Sequence, residues 1–464
     1  MEANRVKFVL WLLLLAGSVG IVHAQNPQPG ADGLGDSRFP LAGNGGYDVQ
    51  HYTLDLTWDA ATGDIFGTAT IEALATQALS AFNLDFRGLS IIGITVDDTP
   101  ATFARAEPEL TIQPAQPLLD GDPFTVVVAY SGRPQPLRDP AAPIAIGWIT
   151  YDEGVYVVSE PLGAATWYPV NDHPLDRATY TFRITVPQPY VVAANGLLQE
   201  TIDSGATTTY VWEASDPLAS YLATVNIGQF DVQTDTGPDG LPIRNYFPPD
   251  LDAGALAGFD RTAEMIAFFS DLFGPYPFEA YGVVVVSADF PAALETQTLS
   301  VFGPLSLGEV TVAHELAHQW FGDSVALADF GDMWLNEGFA SYAEVLWLGH
   351  VLEFDIDDLA FLEGFYDTVR ELPPPGDPPA DDLFHPGVYQ RGAFTLHALR
   401  LRVGAKTFFE IIQTYYEQFR DRNATTADFI ALAEEISGED LDALFDTLLY
   451  ADQLPPLSEL GLDE

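Results

Sequence analysis

His314-Glu315-Leu316-Ala317-His318 is the stretch on which the reading of this chain turns. Two histidines four apart on a helix lie on one face, one turn apart, so both imidazoles can reach a single ion. The surround is helical. Val310, Val312, Ala313, Leu316, Ala317 and Trp320 supply the apolar positions and no proline interrupts them, so the spacing predicts a helix over 307–321. Glu315 points partway round that helix, which suits it to acting on a water at the ion and not to holding the ion.

A catalytic zinc takes three protein ligands and keeps one position open. Trp334-Leu335-Asn336-Glu337-Gly338-Phe339-Ala340 offers the third ligand in Glu337. Eighteen residues separate it from His318, enough for a loop and the start of a second helix over 336–349. Two neutral histidines and one carboxylate leave zinc net positive, which favours acidification of water. A core helix with packed histidines explains an isolated pair, but not Glu337 at this spacing. The expectation is one Zn2+ per chain on His314, His318 and Glu337.

Outward from this centre the chain divides by texture. Residues 25–46 are rich in Gly, Pro, Asn and Asp without periodicity and read as a flexible lead. Over 47–235 the pattern is β. Residues 52–58 alternate apolar and polar, and 124–130, 178–186 and 207–213 are similar short runs between turns. A mostly antiparallel β-domain is predicted there. Over 236–464 the spacing becomes mainly helical, with a buried-strand run at 281–287 and a Pro-rich loop at 372–379. The fold class is therefore multi-domain α+β. At 464 residues the chain is long for one core, which fits two large domains.

Composition narrows the function. Acidic residues number 67 against 18 basic ones, a formal charge of −49, and lysine occurs only at Lys7 and Lys406. Such a surface repels phosphate backbones and anionic lipid, so no nucleic-acid partner is expected. With no cysteine there is no disulfide, thiolate ligand or cysteine nucleophile, and any metal falls to His, Asp or Glu. Arg5 and Lys7, the apolar run 8–15 and Val22-His23-Ala24 read as a signal peptide over 1–24, cleaved after Ala24. An uncleaved anchor is the alternative, but the run is short for a span and Gly17, Ser18 and Gly20 weaken it. The expected product is secreted, without a stable membrane span.

His314-Glu-Leu-Ala-His-Gln-Trp-Phe-Gly322 and Asp332-Met-Trp-Leu-Asn-Glu-Gly-Phe-Ala340 closely resemble the gluzincin aminopeptidases, the family of aminopeptidase N and leukotriene hydrolase. Tyr168-Pro169-Val170-Asn171-Asp172-His173-Pro174 is similar to a stretch of that family's β-domain. The resemblance covers roughly residues 45–457 and looks like a short two-domain form. It implies a saddle-like N-terminal β-domain, a thermolysin-like catalytic domain, and removal of single residues from peptides with a free N-terminal amine.

The resemblance also implies further site residues. The family binds the substrate amine with a Gly-x-Met-Glu-Asn motif. The matching stretch here is Ala292-Ala293-Leu294-Glu295-Thr296, which retains the glutamate, so Glu295 is the expected amine-binding residue. Tyr389-Gln390-Arg391-Gly392-Ala393 matches the family's Tyr-x-Lys-Gly-Ala, implying that Tyr389 donates to the oxyanion. A β-domain glutamine that assists the amine contact has no counterpart in Val158-Ser159-Glu160-Pro161. Either Glu160 takes its place or amine recognition is weaker. Glu315 is expected as general base. Glu344, seven residues after Glu337, is a candidate hydrogen-bond acceptor for a zinc histidine or a solvated acid. A zinc endopeptidase and an inactive extracellular binding module are the competing readings.

Overall fold

The computed structural model describes residues 26–462. The expected signal peptide, 1–24, lies outside the described residues.

The N-terminal part is built on an eight-stranded sheet. Its order is Leu197–Asp203, Thr207–Ala219, Arg177–Pro187, Tyr47–Trp58, Ile65–Ala75, Pro123–Gly132, Ser90–Val96 and Thr99–Pro100. All neighbours are antiparallel except Arg177–Pro187 and Tyr47–Trp58, which run parallel. Strand Tyr47–Trp58 shows how the pattern is kept. Tyr47 and Val49 face the core, and so do Tyr52, Leu54, Leu56 and Trp58, a change of parity. A bulge between Val49 and His51 absorbs the extra residue, so one face stays apolar throughout. A four-stranded and a five-stranded sheet complete this part.

Strand Asp231–Thr236 runs across the 235/236 boundary and pairs with Pro242–Phe247. These open a second five-stranded sheet that continues through Tyr281–Val285, Ser300–Phe302 and Ala293–Leu294. Helices then dominate: α1 (Ala253–Leu256), α2 (Thr262–Phe273), α3 (Glu309–Ala317), α4 (Trp334–Leu352), α5 (Leu359–Val369), α6 (Gly392–Val403), α7 (Ala405–Phe419), α8 (Thr426–Ser437) and α9 (Asp442–Tyr450). Helix α3 is shorter than the apolar spacing predicts. After Ala317 the chain tightens, with Gln319 N–H on Leu316 O and Trp320 N–H on Ala317 O. His318 still donates its N–H to His314 O, so the two histidines remain one turn apart.

The two parts share apolar core. Tyr246, Val284, Val286, Leu299 and Val301 of the second sheet are buried together with the β-domain interior. Arg177 reinforces the junction by donating to the carbonyls of Asp323, Ser324 and Pro217.

The reading of 25–46 as a flexible lead needs correction over its described residues. Backbone bonds tie Gln28 to Ala78 and Gly30 to Ala81. Asn44 is fully buried and donates to Asp85 at 3.1 Å. Asp36 is buried between the two parts of the molecule. The segment is low in apolar residues and is ordered by polar contacts, which leave no periodicity in the sequence. No helix among the described residues is long and apolar enough to cross a membrane.

Candidate active site

Helices α3 and α4 pack against each other and bring His314, His318 and Glu337 to one point. One ligand atom from each lies within 4.8 Å of the others. His314 Nε2 is 3.2 Å and His318 Nε2 is 3.4 Å from Glu337 Oε2. The outer ring nitrogens set the tautomers. His314 Nδ1 is 2.6 Å from Glu344 Oε1, and His318 Nδ1 is 3.1 Å from the Phe321 carbonyl. Both partners can only accept, so both Nδ1 atoms carry the proton and both neutral rings turn an Nε2 lone pair inward. Two lone pairs then face a carboxylate oxygen with no donor among them, which is the donor set for zinc.

The electrostatics ask for positive charge at the same point. Burial alone would raise the Glu337 carboxyl, but the His318 and His314 rings override it and bring it down to about 2. Burial would lower His314, yet Glu337 and Glu344 raise it well above the usual imidazole range. Without a metal, the carboxylates favour a further proton on the imidazoles, and a divalent cation would take the place of that proton and leave both rings neutral.

This triad lies in a cavity of about 370 Å³ that Glu160, Glu295, Glu315 and Tyr389 also line. Glu315 is buried, and its Oε2 has no hydrogen-bond partner. Burial pushes its carboxyl up to about 8, with Glu295 and Glu337 adding to the rise against the two histidines. Glu295 Oε1 and Glu160 Oε1 are likewise buried and unpartnered. Burial raises Glu160 well above the carboxylate range, and Glu295 is the first charge that adds to it. Buried carboxylates with free acceptor atoms are costly unless a cation joins them.

Tyr389 sits in a π-helical turn, Gly387–Arg391, and lies over the His314 ring, with centroids 6.1 Å apart and planes at 24°. Burial, followed by the charge of Glu337, raises its phenol well above the usual value, so it stays a donor. Close backbone approach brings this turn to α4. A Cβ on Gly338 would lie 2.9 Å from the backbone of Gly392, and a Cβ on Gly392 equally close to Gly338. Only glycine allows the two segments to meet there.

Family models match in two places: the "Peptidase M1 N-terminal domain" over residues 48–222 and the "Peptidase family M1 domain" over 257–448. Among solved structures, an M1 zinc metallopeptidase from Deinococcus radiodurans is 33% identical. It superposes with a TM-score of 0.85 over 92% of this chain and 98% of its own. The chain belongs to the M1 zinc metallopeptidase family. A substituted form of the Deinococcus protein, solved with a Tyr-Ser-Ala substrate, is 32% identical, with a TM-score of 0.85 over 92% of this chain and 99% of that one. Among curated relatives, aminopeptidase M1-A of Oryza sativa subsp. japonica is 27% identical over 61% of this chain. Glutamyl aminopeptidase of Sus scrofa is 29% identical over 62% of it. The chain spans about a third of the length of these two relatives, 35% and 33%. M1 membership implies zinc, and the donor set described above fits it.

Further residues hold the site in place. Gln319, the residue after His318, donates to the Glu295 carbonyl at 3.0 Å and to Asp323 at 2.7 Å, and its Oε1 accepts from Thr298 N–H at 2.8 Å. Asn195 donates to the Gln297 carbonyl at 2.7 Å. The buried Arg244 donates to the Thr298 carbonyl at 3.1 Å and to that of Ala194 at 3.2 Å. Together they fix the segment that carries Glu295. Arg391, where the family pattern has lysine, is fully buried and donates to the carbonyls of Leu448, Leu372, Thr447 and Ala451. It ties the Tyr389 turn to α9. Gln319 and Arg391 lie inside the His314–Gly322 and Tyr389–Ala393 motifs, which give neither side chain a role; Asn195 and Arg244 carry no local signal.

Proposed function

We propose that this chain is a secreted aminopeptidase that uses one zinc ion to hydrolyse the N-terminal peptide bond of peptides. One juxtaposition carries the reading: the His314–His318–Glu337 donor set shares a cavity with two buried carboxylates, Glu295 and Glu160, that have acceptor atoms to spare. A substrate ammonium is a cation able to join them, and a charge-assisted contact of that kind fixes which peptide bond reaches the reacting centre.

His314, His318 and Glu337 would hold the zinc, which would supply Lewis acidity and acidify a water there. Glu315 takes the proton of the attacking water and passes it to the leaving nitrogen. Its free Oε2 leaves it open to both transfers. Tyr389 donates its phenolic proton as a hydrogen bond to the developing oxyanion. Glu344 holds His314 in the tautomer that leaves Nε2 free for the metal.

Secretion rests on the sequence of residues 1–24, with its basic start, apolar run and Val22-His23-Ala24. N-terminal sequencing of the exported protein should give Gln25 as the first residue. An intact, membrane-retained Met1 form would refute it. The catalytic reading is tested by chelation: dialysis against 1,10-phenanthroline should abolish peptide hydrolysis, and one equivalent of Zn2+ per chain should restore it. Full activity in metal-free protein would contradict it.

A further inference from the structure

The acids lining the cavity each have a place in the proposed reaction: Glu337 and Glu344 at the metal, Glu315 in proton transfer, Glu295 and Glu160 at the amine. What remains of the wall is largely apolar. Ile144, Ile146 and Val158 come from the β-domain side, facing Leu294, Val310 and Phe384 of the second domain. Ile146 and Val158 are buried, whereas Ile144, Leu294 and Val310 are only partly covered, so a ligand has apolar surface to gain. Among the described residues, no lysine or arginine lines the cavity.

The side chain of a substrate's first residue leaves the same carbon as the amine. Once the amine meets Glu295 and Glu160, that side chain must enter the same cavity. An aliphatic or aromatic group there buries its surface against the isoleucines and valines, which contributes roughly 1.5–3 kcal/mol for a Leu-sized or Phe-sized group. An acidic group finds no lysine or arginine among the described lining residues, and several carboxylates stand nearby. A zinc ion there would be taken up by its own ligands and the scissile carbonyl, so the acidic group's charge is buried without compensation.

We propose that this wall makes the enzyme prefer peptides with an apolar first residue over those that begin with Asp or Glu. The proposal rests on the aminopeptidase reading and adds the substrate class to it. Ile144 is the position where a change should show most directly, since it is partly exposed and a longer side chain can reach the cavity without repacking a buried core.

The experiment compares kcat/KM for Leu-Ser-Ala, Phe-Ser-Ala and Glu-Ser-Ala, each with a free and an acetylated amine, on the zinc-loaded full chain. The expected result is that the Leu and Phe peptides exceed the Glu peptide by about a hundredfold or more. Ile144→Arg should narrow the Leu-to-Glu ratio by at least about tenfold, because it introduces the missing cation. The wild-type ratio decides the matter if that variant does not fold. Free Leu and Glu peptides cleaved within about threefold of each other, both faster than their acetylated twins, would overturn the selectivity and leave the aminopeptidase reading standing. Acetylated peptides cleaved as fast as free ones would overturn both.

Discussion

Asp36 Oδ2 accepts the backbone N–H of Phe330 at 2.7 Å, across 294 residues of sequence. The same oxygen lies 3.2 Å from His173 Nε2 in the β-domain. His173 Nδ1 accepts the Leu175 N–H, so the Nε2 carries the proton donated to Asp36. Residues 330–332 form the short 3-10 turn immediately before α4, which carries Glu337. Ser37 adds a second clasp through Asp329. The N-terminal segment therefore holds the start of the helix that carries Glu337 against the β-domain.

Asp36→Ala should lower stability by about 3 kcal/mol or more, since buried N–H donors lose a charged acceptor. Urea unfolding measures it. Burial raises the Asp36 carboxyl, but bonds from His173, Phe330, Phe39 and Arg38 bring it below its ordinary value. Its contribution is thus present above the unfolded value of 3.8 and is lost as pH falls through the lower folded value. A variant as stable as wild type at pH 7 would show the clasp to be idle.

Glu315→Gln and Glu337→Ala should fail in different ways. The first should retain zinc by metal analysis and lose at least about a hundredfold in kcat, the usual reach of a general base. The second should lose the metal, because two histidines alone leave the donor set incomplete. A Glu315→Gln protein with more than about a tenth of wild-type turnover would contradict the assignment.

Glu344→Gln should weaken zinc by about ten- to a hundredfold in competition with a chromophoric chelator, through loss of the charged acceptor on His314 Nδ1. The variant should regain activity as free zinc is raised. Unchanged affinity would mean that the 2.6 Å contact does not orient the ring.

His397 provides a pH test away from the metal. Its ring is fully buried and its Nδ1 is 3.2 Å from the Tyr342 hydroxyl, while Nε2 has no partner. Burial lowers its pKa from 6.5 to about 4, against a smaller opposing pull from Asp357. Between those values the unfolded chain takes up a proton that the folded chain does not. The neutral ring's stabilising contribution is therefore complete above pH 6.5 and fades as pH falls to about 4. The full difference is at most about 3 kcal/mol. His397→Gln should flatten the stability–pH curve over that window in urea titrations, and an unchanged slope would refute the shift.

The legible part of the site was local. His314, His318 and Glu337 lie on two successive helices, and Glu344 follows Glu337 by two turns, so helical spacing alone brings them near. The α+β division was also readable, because alternation and helical spacing occupy different halves of the chain. Helix ends were not. The tightening after Ala317 falls where Gln319 turns to Thr298 and Glu295, which are distant in sequence. The contacts of Asp36, Arg244 and Arg391 were not readable for a related reason. Each is a polar residue satisfied by backbone groups far along the chain, and no periodicity records that. Glu160 was suspected only from the place of a missing glutamine. Its burial beside Glu295 emerges only when the domains meet.

The most direct measurement of the central claim is kcat/KM for one peptide and its N-acetylated twin, on wild type, Glu295→Ala and Glu160→Ala. An ammonium–carboxylate contact in a buried cavity is worth roughly 1.5–3 kcal/mol, about ten- to a hundredfold. Acetylation should cost the wild type at least about tenfold. Each substitution should slow the free peptide by a similar factor and leave the acetylated one nearly unchanged, since both changes remove the same contact. Equal cleavage of the two peptides by the wild type, at internal bonds, would contradict amine recognition by Glu295 and Glu160 and make the enzyme an endopeptidase.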